Sequence, residues 1–171
     1  PYKNSLAVIA PSVRDPSLAP PGKGTLSIHC TADFEYADRW KSGPGLVRGP
    51  AYRDFKQQFA QILLDRVEQT MHVNVRDHIR ILDIATPLTY LRYTGNHKGS
   101  ITGLRPTPRN VRNRLAHCRT PVRNVLLGGH WAEFTGGVPM AVKAAANASL
   151  IILREAHTGA YRDLRDLLEG K

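Results

Sequence analysis

Residues 125–141 read VLLGGHWAEFTGGVPMA, and this stretch says more about the fold than any other part of the chain. It opens with the apolar run Val125–Leu127, which predicts a short buried strand. Two glycines end that strand, and a second pair of glycines precedes Val138 and Pro139. Proline suits the first turn of a helix. The alanine-rich sequence that follows therefore predicts a helix over about 138–155.

The two glycine pairs, Gly128–Gly129 and Gly136–Gly137, indicate that another group approaches the backbone here. Glycine has no Cβ, so it leaves room for such an approach. The first N–H groups of the predicted helix are free and lie at the positive end of its dipole. The pattern thus predicts a cradle for the electron-rich edge of a ligand, although a tight structural corner without a ligand has the same composition.

Upstream, two short strands are predicted to pair. The run Leu6–Ala10 is apolar and closed by proline, and residues 25–30 alternate between polar and apolar side chains. The proline- and glycine-rich residues 11–24 between them predict a loop with tight turns. Together they fit an antiparallel pair.

The middle and the end of the chain predict helices and one more strand. Apolar residues recur at helical spacing over 51–71, and residues 78–85 alternate as in a strand. Thr86 is placed as the N-cap of a short helix beginning at Pro87. A final amphipathic helix is predicted from its apolar positions, which are Tyr161, Leu164, Leu167 and Leu168.

The charge of the chain is uneven. Its 24 Lys+Arg against 14 Asp+Glu give a net charge of +10. The segment Ile84–Ala132 contains no acidic residue; its positive residues are Arg92, Lys98, Arg105, Arg109, Arg112, Arg114, Arg119 and Arg123. Such a block favours an anionic partner, and a solvated basic face that binds nothing is the alternative. Nucleic acid ranks second, because interleaved aromatics and nucleic-acid-binding motifs are absent.

Several protein classes are excluded by what the sequence lacks. The two cysteines, Cys30 and Cys118, form no disulfide framework and favour a reducing compartment. The chain has no nucleophile elbow, no phosphate-binding loop and no zinc-protease motif. Its seven histidines show no metal-ligand spacing. No catalytic acid or base is identified, and no metal is expected.

The stretch 125–141 resembles the C-terminal flavin-binding motif of FAD-dependent oxidoreductases of the phytoene desaturase, carotenoid isomerase and retinol saturase group. The resemblance extends over nearly the whole chain up to about Glu155. Its other motifs, in chain order, are 15–20 with Gly22-Lys23, 36–38 with Trp40-Lys41, 85–89, 92–96, 99–101 and 106–108.

The resemblance implies an α+β fold. It predicts a mixed sheet from half of a substrate domain, joined to the C-terminal flavin-contacting strand–turn–helix of a two-domain FAD oxidoreductase. Residues 1–120 are then the substrate-domain portion, 121–156 the FAD-binding segment and 157–171 a C-terminal helix.

The resemblance also assigns site residues, all of them around the flavin. Gly128 and Gly129 would pass close to the ribityl chain. The backbone N–H groups of Gly136, Gly137 and Val138 would face the pyrimidine edge and stabilise negative charge there.

Further residues complete the expected site. Pro139 would open the closing helix. His130 stands where many such flavoproteins carry an acidic residue, and Glu133 follows three positions later. Tyr93 and Thr94 would line the substrate side.

The dinucleotide-binding half of such an enzyme, with its glycine-rich loop, is not found in this sequence. We therefore expect a second polypeptide to supply it, so that the chain alone is inactive and acts with FAD on a small organic substrate in a heteromer. A cytoplasmic location with peripheral membrane contact fits this interpretation, and nucleic acid is not an expected partner. The alternative is a non-catalytic basic module that binds an anionic partner.

Overall fold

The computed structural model describes residues 2–103, 107–108, 118–132, 136–156 and 159–171. Within these ranges the chain forms two compact units, Pro1–Tyr93 (unit 1) and Thr94–Lys171 (unit 2). The fold is α+β, mostly helical, with one small sheet among the described residues.

That sheet is the pair predicted near the start of unit 1. Strand β1 (Leu6–Ile9) runs antiparallel to β2 (Ser27–Cys30), with Leu6 opposite Cys30 and Ile9 opposite Ser27. The predicted pairing is confirmed. The expected mixed sheet is not present, because no third strand joins this pair in the described part of the chain.

The connection between the strands contains short helical turns in place of the predicted loop. Helix α1 (Pro11–Arg14) is followed by a 3₁₀ turn at Pro16–Leu18. Asp15 caps that turn by accepting hydrogen bonds from the hydroxyl and the backbone N–H of Ser17, at 2.6 and 3.0 Å. These bonds, the hydroxyl first, lower the pKa of Asp15.

The core of unit 1 forms on α3 (Pro50–Met71), whose predicted existence and length are confirmed. Its apolar face buries Tyr52 and Phe59 against Trp40 and Leu88. Trp40 also contacts neighbouring aromatic rings, its ring centroid lying 4.9 Å from that of Phe59 in a tilted arrangement.

Trp40 reaches this core from a left-handed helical turn, α2 (Ala37–Lys41). All five residues have φ between 47° and 62°. L-residues pay about 1–2 kcal/mol each for this conformation. The burial of Trp40 and the 3.1 Å hydrogen bond from its indole N–H to the Asp33 carbonyl oppose that cost.

We expect Asp38→Gly to stabilise unit 1 by about 0.5–1 kcal/mol, since glycine adopts positive φ freely. Asp38 is exposed and has φ 54°. The same change at Asp54, exposed on α3, should destabilise by about 0.5 kcal/mol because glycine is a poor helix former. Urea unfolding of both variants measures the change in the free energy of unfolding. Changes of the same sign in the two variants would contradict a left-handed turn.

The strand predicted over residues 78–85 is wrong. A 3₁₀ turn covers Arg76–His78, and residues 79–86 then form neither a strand nor a helix, with Ile81 90% exposed. Alternation yields a strand only where a neighbouring strand pairs with it. Here Glu68 holds the preceding turn instead, accepting from the backbone N–H groups of Val75 and Arg76 at 2.8 Å. The Arg76 N–H bond foremost lowers the pKa of Glu68.

Three further α-helices lie in the described part of the chain, and the sequence predicts all three. Helix α4 spans Pro87–Thr94, α5 spans Val138–Glu155 and α6 spans Ala160–Glu169. The apolar face of α6 is only partly covered, since Leu167 is 75% exposed.

The core of unit 2 is built from small side chains. Ala144 and Ala148 of α5 are buried against Cys118 and Ala132. The buried strand predicted at Val125–Leu127 is wrong. Leu126 forms only an isolated bridge with Arg119, and both ends of the run are exposed. The described residues offer no strand that would extend this bridge.

Candidate functional site

The N-terminus of α5 leaves backbone donors available. Gly137 precedes the helix in an extended conformation, and its carbonyl accepts from the N–H groups of Met140 and Ala141 at 3.1 and 3.2 Å. The N–H groups of Gly137 and Val138 have no acceptor within the described residues. They lie at the positive end of an 18-residue helix and can bind an electron-rich atom.

The glycines of the site differ in what they permit. Among the described residues, a Cβ on Gly137 would meet only the Pro139 Cδ atom, at an ordinary 3.8 Å, and a Cβ on Gly129 would meet none within 4 Å. A Cβ on Gly136 would lie 2.9 Å from the Met140 Cβ atom. Gly136 is therefore needed for packing, whereas Gly129 and Gly137 border open space.

Both glycine pairs are brought to the same helix. Gly128 packs against the middle of α5, where its Cβ would lie 3.6 Å from the Ala145 Cα atom, and a 3₁₀ turn at Gly129–Trp131 follows it. Ala145 comes eight residues after Gly137, which is about 12 Å along a helix. The two pairs would thus meet different parts of one elongated ligand.

Sequence reasoning missed Gly103, which supports the turn. A Cβ on Gly103 would lie 2.5 Å from the His130 carbonyl oxygen and 2.9 Å from the Trp131 Cδ2 atom. Only glycine fits at such a distance. Gly103 comes two residues after the resembling motif 99–101, but its contact lies 27 residues away along the chain and has no local signature.

His130 lies within the turn, its ring 5.7 Å from that of Trp131. Glu133, the acidic residue three positions later, lies outside the described residues. The cofactor roles of both stay predictions.

The two predicted substrate-side residues end α4. Tyr93 belongs to unit 1 and is 77% exposed, with the Arg92 guanidinium 5.6 Å from its ring centre. Thr94 begins unit 2, and its hydroxyl accepts a 3.1 Å hydrogen bond from the Asn96 N–H. In the described structure Tyr93 is a surface residue, and its role as a pocket wall stays a prediction.

The start of α4 is anchored to α3. The Tyr52 hydroxyl and the Thr86 hydroxyl are 2.8 Å apart and buried, and Lys56 donates to the Ile84 carbonyl at 3.3 Å. The expected N-cap role of Thr86 holds for its backbone only. Its N–H donates to the Thr89 hydroxyl at 3.1 Å, while its own hydroxyl pairs with Tyr52.

We expect Tyr52→Phe to destabilise unit 1 by about 1–2 kcal/mol, because the buried Thr86 hydroxyl would lose its partner. Tyr93→Phe is the matched control and should have almost no effect, since that side chain is exposed. Urea unfolding compares the two. Similar losses in both variants would contradict the role of the buried pair.

The basic segment is only partly described. Arg119 pairs with Glu155 of α5 at 2.6 Å, both side chains being exposed. Four further basic residues lie outside the described residues: Arg105, Arg109, Arg112 and Arg114.

Neither a metal-ligand cluster nor a membrane-spanning helix is found among the described residues. Among the described residues, no three histidine, cysteine or acidic side chains lie close enough together to hold a metal ion. Nor does any helix there combine the length and the apolar character needed to cross a membrane.

Comparison with known proteins finds homologues of this chain. The homologues of this chain are members of the phytoene desaturase, carotenoid isomerase and retinol saturase group, so the expected resemblance is confirmed. No protein-family model matches the chain, and no solved structure matches it.

Two of these homologues are a reductase and an isomerase. The all-trans-retinol 13,14-reductase of Danio rerio is 28% identical over 165 residues, which cover 93% of this chain and 27% of that protein. Prolycopene isomerase 2, chloroplastic, of an Oncidium hybrid cultivar is 28% identical over 111 residues, covering 65% of this chain and 17% of that protein.

A third relative is named as an inactive reductase. The inactive all-trans-retinol 13,14-reductase of Danio rerio is 26% identical over 136 residues, covering 74% of this chain and 21% of that protein. The chain thus spans about a quarter or less of the length of the relatives it matches.

Proposed function

We propose that this chain is the C-terminal part of an FAD-dependent oxidoreductase that transfers hydride between an organic substrate and flavin. The dinucleotide-binding half is supplied by polypeptide outside these 171 residues, in our proposal a second chain. The observation that carries the proposal is the N-terminus of α5, where the Gly137 and Val138 N–H groups lack an acceptor in the described structure.

FAD would supply the hydride chemistry when bound. The residues of this chain fit its flavin end on two grounds. Within the described part of the chain, Gly129 and Gly137 border open space, and the Gly137 and Val138 N–H groups have no acceptor and lie at the positive end of the α5 dipole.

The proposed role of this chain is to bind the flavin and to polarise its ring system. The N–H groups of Gly137 and Val138 would hold the pyrimidine edge and stabilise negative charge on it, with the helix dipole adding to the effect. Gly128 and Gly129 would let the ribityl chain pass close to the turn. The turn itself is held on α5.

The substrate is proposed to be small and apolar. The names of two relatives support this, since retinol and prolycopene are apolar polyenes. Helix α4, anchored through Thr86, would present Tyr93 and Thr94 on the substrate side. We place the assembled protein in the cytoplasm, in peripheral contact with a membrane from which an apolar substrate could be drawn.

Isolation of the protein from its natural source tests the proposal. We expect a flavin absorbance spectrum and a copurifying dinucleotide-binding region, visible on a gel as a second chain. A colourless protein would contradict the proposal. Salt-dependent binding of an anionic partner without flavin would instead establish the basic module.

A further inference from the structure

Asn96 is the most unusual buried polar residue of unit 2. It is only 1% exposed, and its Oδ1 atom has no hydrogen-bond donor among the described residues. A buried acceptor without a donor is unfavourable. An asparagine here therefore needs a reason other than filling space.

The amide nitrogen of Asn96 gives that reason. It donates to the carbonyl oxygens of Ser100 and Thr102, at 2.9 and 3.4 Å. The Ser100 hydroxyl donates to the same Thr102 carbonyl at 2.6 Å. The buried Asn96 side chain thus fixes the backbone of residues 100–102, which lead into Gly103.

Gly103 passes this restraint to the glycine turn. Its Cα approaches the His130 carbonyl and the Trp131 indole so closely that no Cβ would fit. A shift of residues 100–103 would therefore have to move the Gly129–Trp131 turn or open a gap beside it. The contacts form a continuous path from Asn96 to that turn.

We propose that Asn96 is a positioning residue that holds the Gly129–Trp131 turn in place on α5. The assignment of that turn to flavin rests on the proposed function. Asn96 itself does not touch the cofactor in this proposal. Its contribution is to keep residues 100–103 against the turn.

Trp131 makes the proposal testable without flavin. The chain has two tryptophans, Trp40 and Trp131, so a Trp40→Phe background of the 171-residue chain leaves Trp131 as the only one. In that background we expect Asn96→Ala to shift the emission to the red and to increase acrylamide quenching. The increase should approach the roughly twofold gain that full exposure of a 42% exposed ring allows. His97→Ala is the matched control, because its side chain is exposed, and it should leave both readings unchanged.

A folded Asn96→Ala protein with the parental emission and quenching would overturn the proposal. A residue that only adds stability would lower the unfolding midpoint and leave Trp131 unchanged in the native state. If Asn96→Ala does not fold, Ser100→Ala decides. It removes one hydrogen bond to the Thr102 carbonyl. We expect it to shift the emission and increase the quenching in the same direction as Asn96→Ala, but by less. Unchanged emission and quenching in Ser100→Ala would overturn the proposal.

The flavin assignment is tested separately in the assembled protein. Asn96→Ala should there alter the flavin absorbance envelope, and His97→Ala should not. A Trp131 shift in a protein that never contains flavin would support the coupling and overturn only the cofactor's place at the turn. Parental Trp131 readings in a flavin-containing protein would overturn the coupling and leave the proposed function intact.

Discussion

Replacing Gly137 with valine is expected to lower flavin retention in the assembled protein about tenfold to hundredfold. The new side chain would occupy the open space beside the α5 N-terminus and keep the cofactor edge away from the Gly137 and Val138 N–H groups. Losing one hydrogen bond to a charged group costs about 1.5–3 kcal/mol, which corresponds to this range. Flavin absorbance per protein after gel filtration measures the effect.

Gly49→Val provides a close control for this variant. Gly49 precedes α3 with φ −72° and ψ −169°, and Gly137 precedes α5 with φ −71° and ψ −162°. A Cβ on either glycine would meet no atom of the described residues closer than 3.8 Å. Both variants should fold, and only Gly137→Val should lose flavin. Full retention in Gly137→Val, or equal loss in both, would remove the helix N-terminus from the proposed site.

Trp40→Ala is expected to destabilise unit 1 by about 3–5 kcal/mol, the usual cost of removing a buried tryptophan side chain. The ring is 2% exposed and shares its cluster with Leu88 of α4. Loss of the ring would therefore loosen the proposed substrate-side helix as well as α3. Amide hydrogen exchange, followed separately in α3 and α4, measures both effects.

Two comparison variants sharpen this test. Trp40→Phe keeps most of the packing and loses the indole hydrogen bond to Asp33, so its effect should be intermediate. Tyr93→Ala removes an exposed ring and should change stability by less than about 0.5 kcal/mol. A Trp40→Ala effect as small as that of Tyr93→Ala would show that Trp40 is not central to the core.

The long elements were predictable because their signals are local. Residues 51–71 and 138–155 carry helical spacing or helix-forming composition over many turns, and both helices form within a residue of the expected bounds. The strands expected at 78–85 and 125–127 fail for the opposite reason. Their patterns specify a face to be buried, but a strand also needs a partner strand, which no local pattern supplies.

The candidate site divides in the same way. Helix-opening glycines and Pro139 are readable from sequence, and the structure places them at the start of α5 as expected. The contact of Gly103 with the turn, and the pairing of Tyr52 with Thr86, join residues 27 or more positions apart. Such contacts depend on tertiary packing, so periodicity and turn chemistry could not reveal them.

The left-handed turn at Ala37–Lys41 has an evolutionary consequence. Selection at these positions acts on backbone handedness before it acts on side-chain chemistry. Relatives that keep the turn should accept glycine, asparagine or aspartate at 37–39 and 41, and should exclude β-branched residues there. Only a few residue types would then replace one another at these positions during evolution, although most of the side chains are exposed. Sequence conservation at these positions would therefore reflect the left-handed backbone and not contact with a ligand.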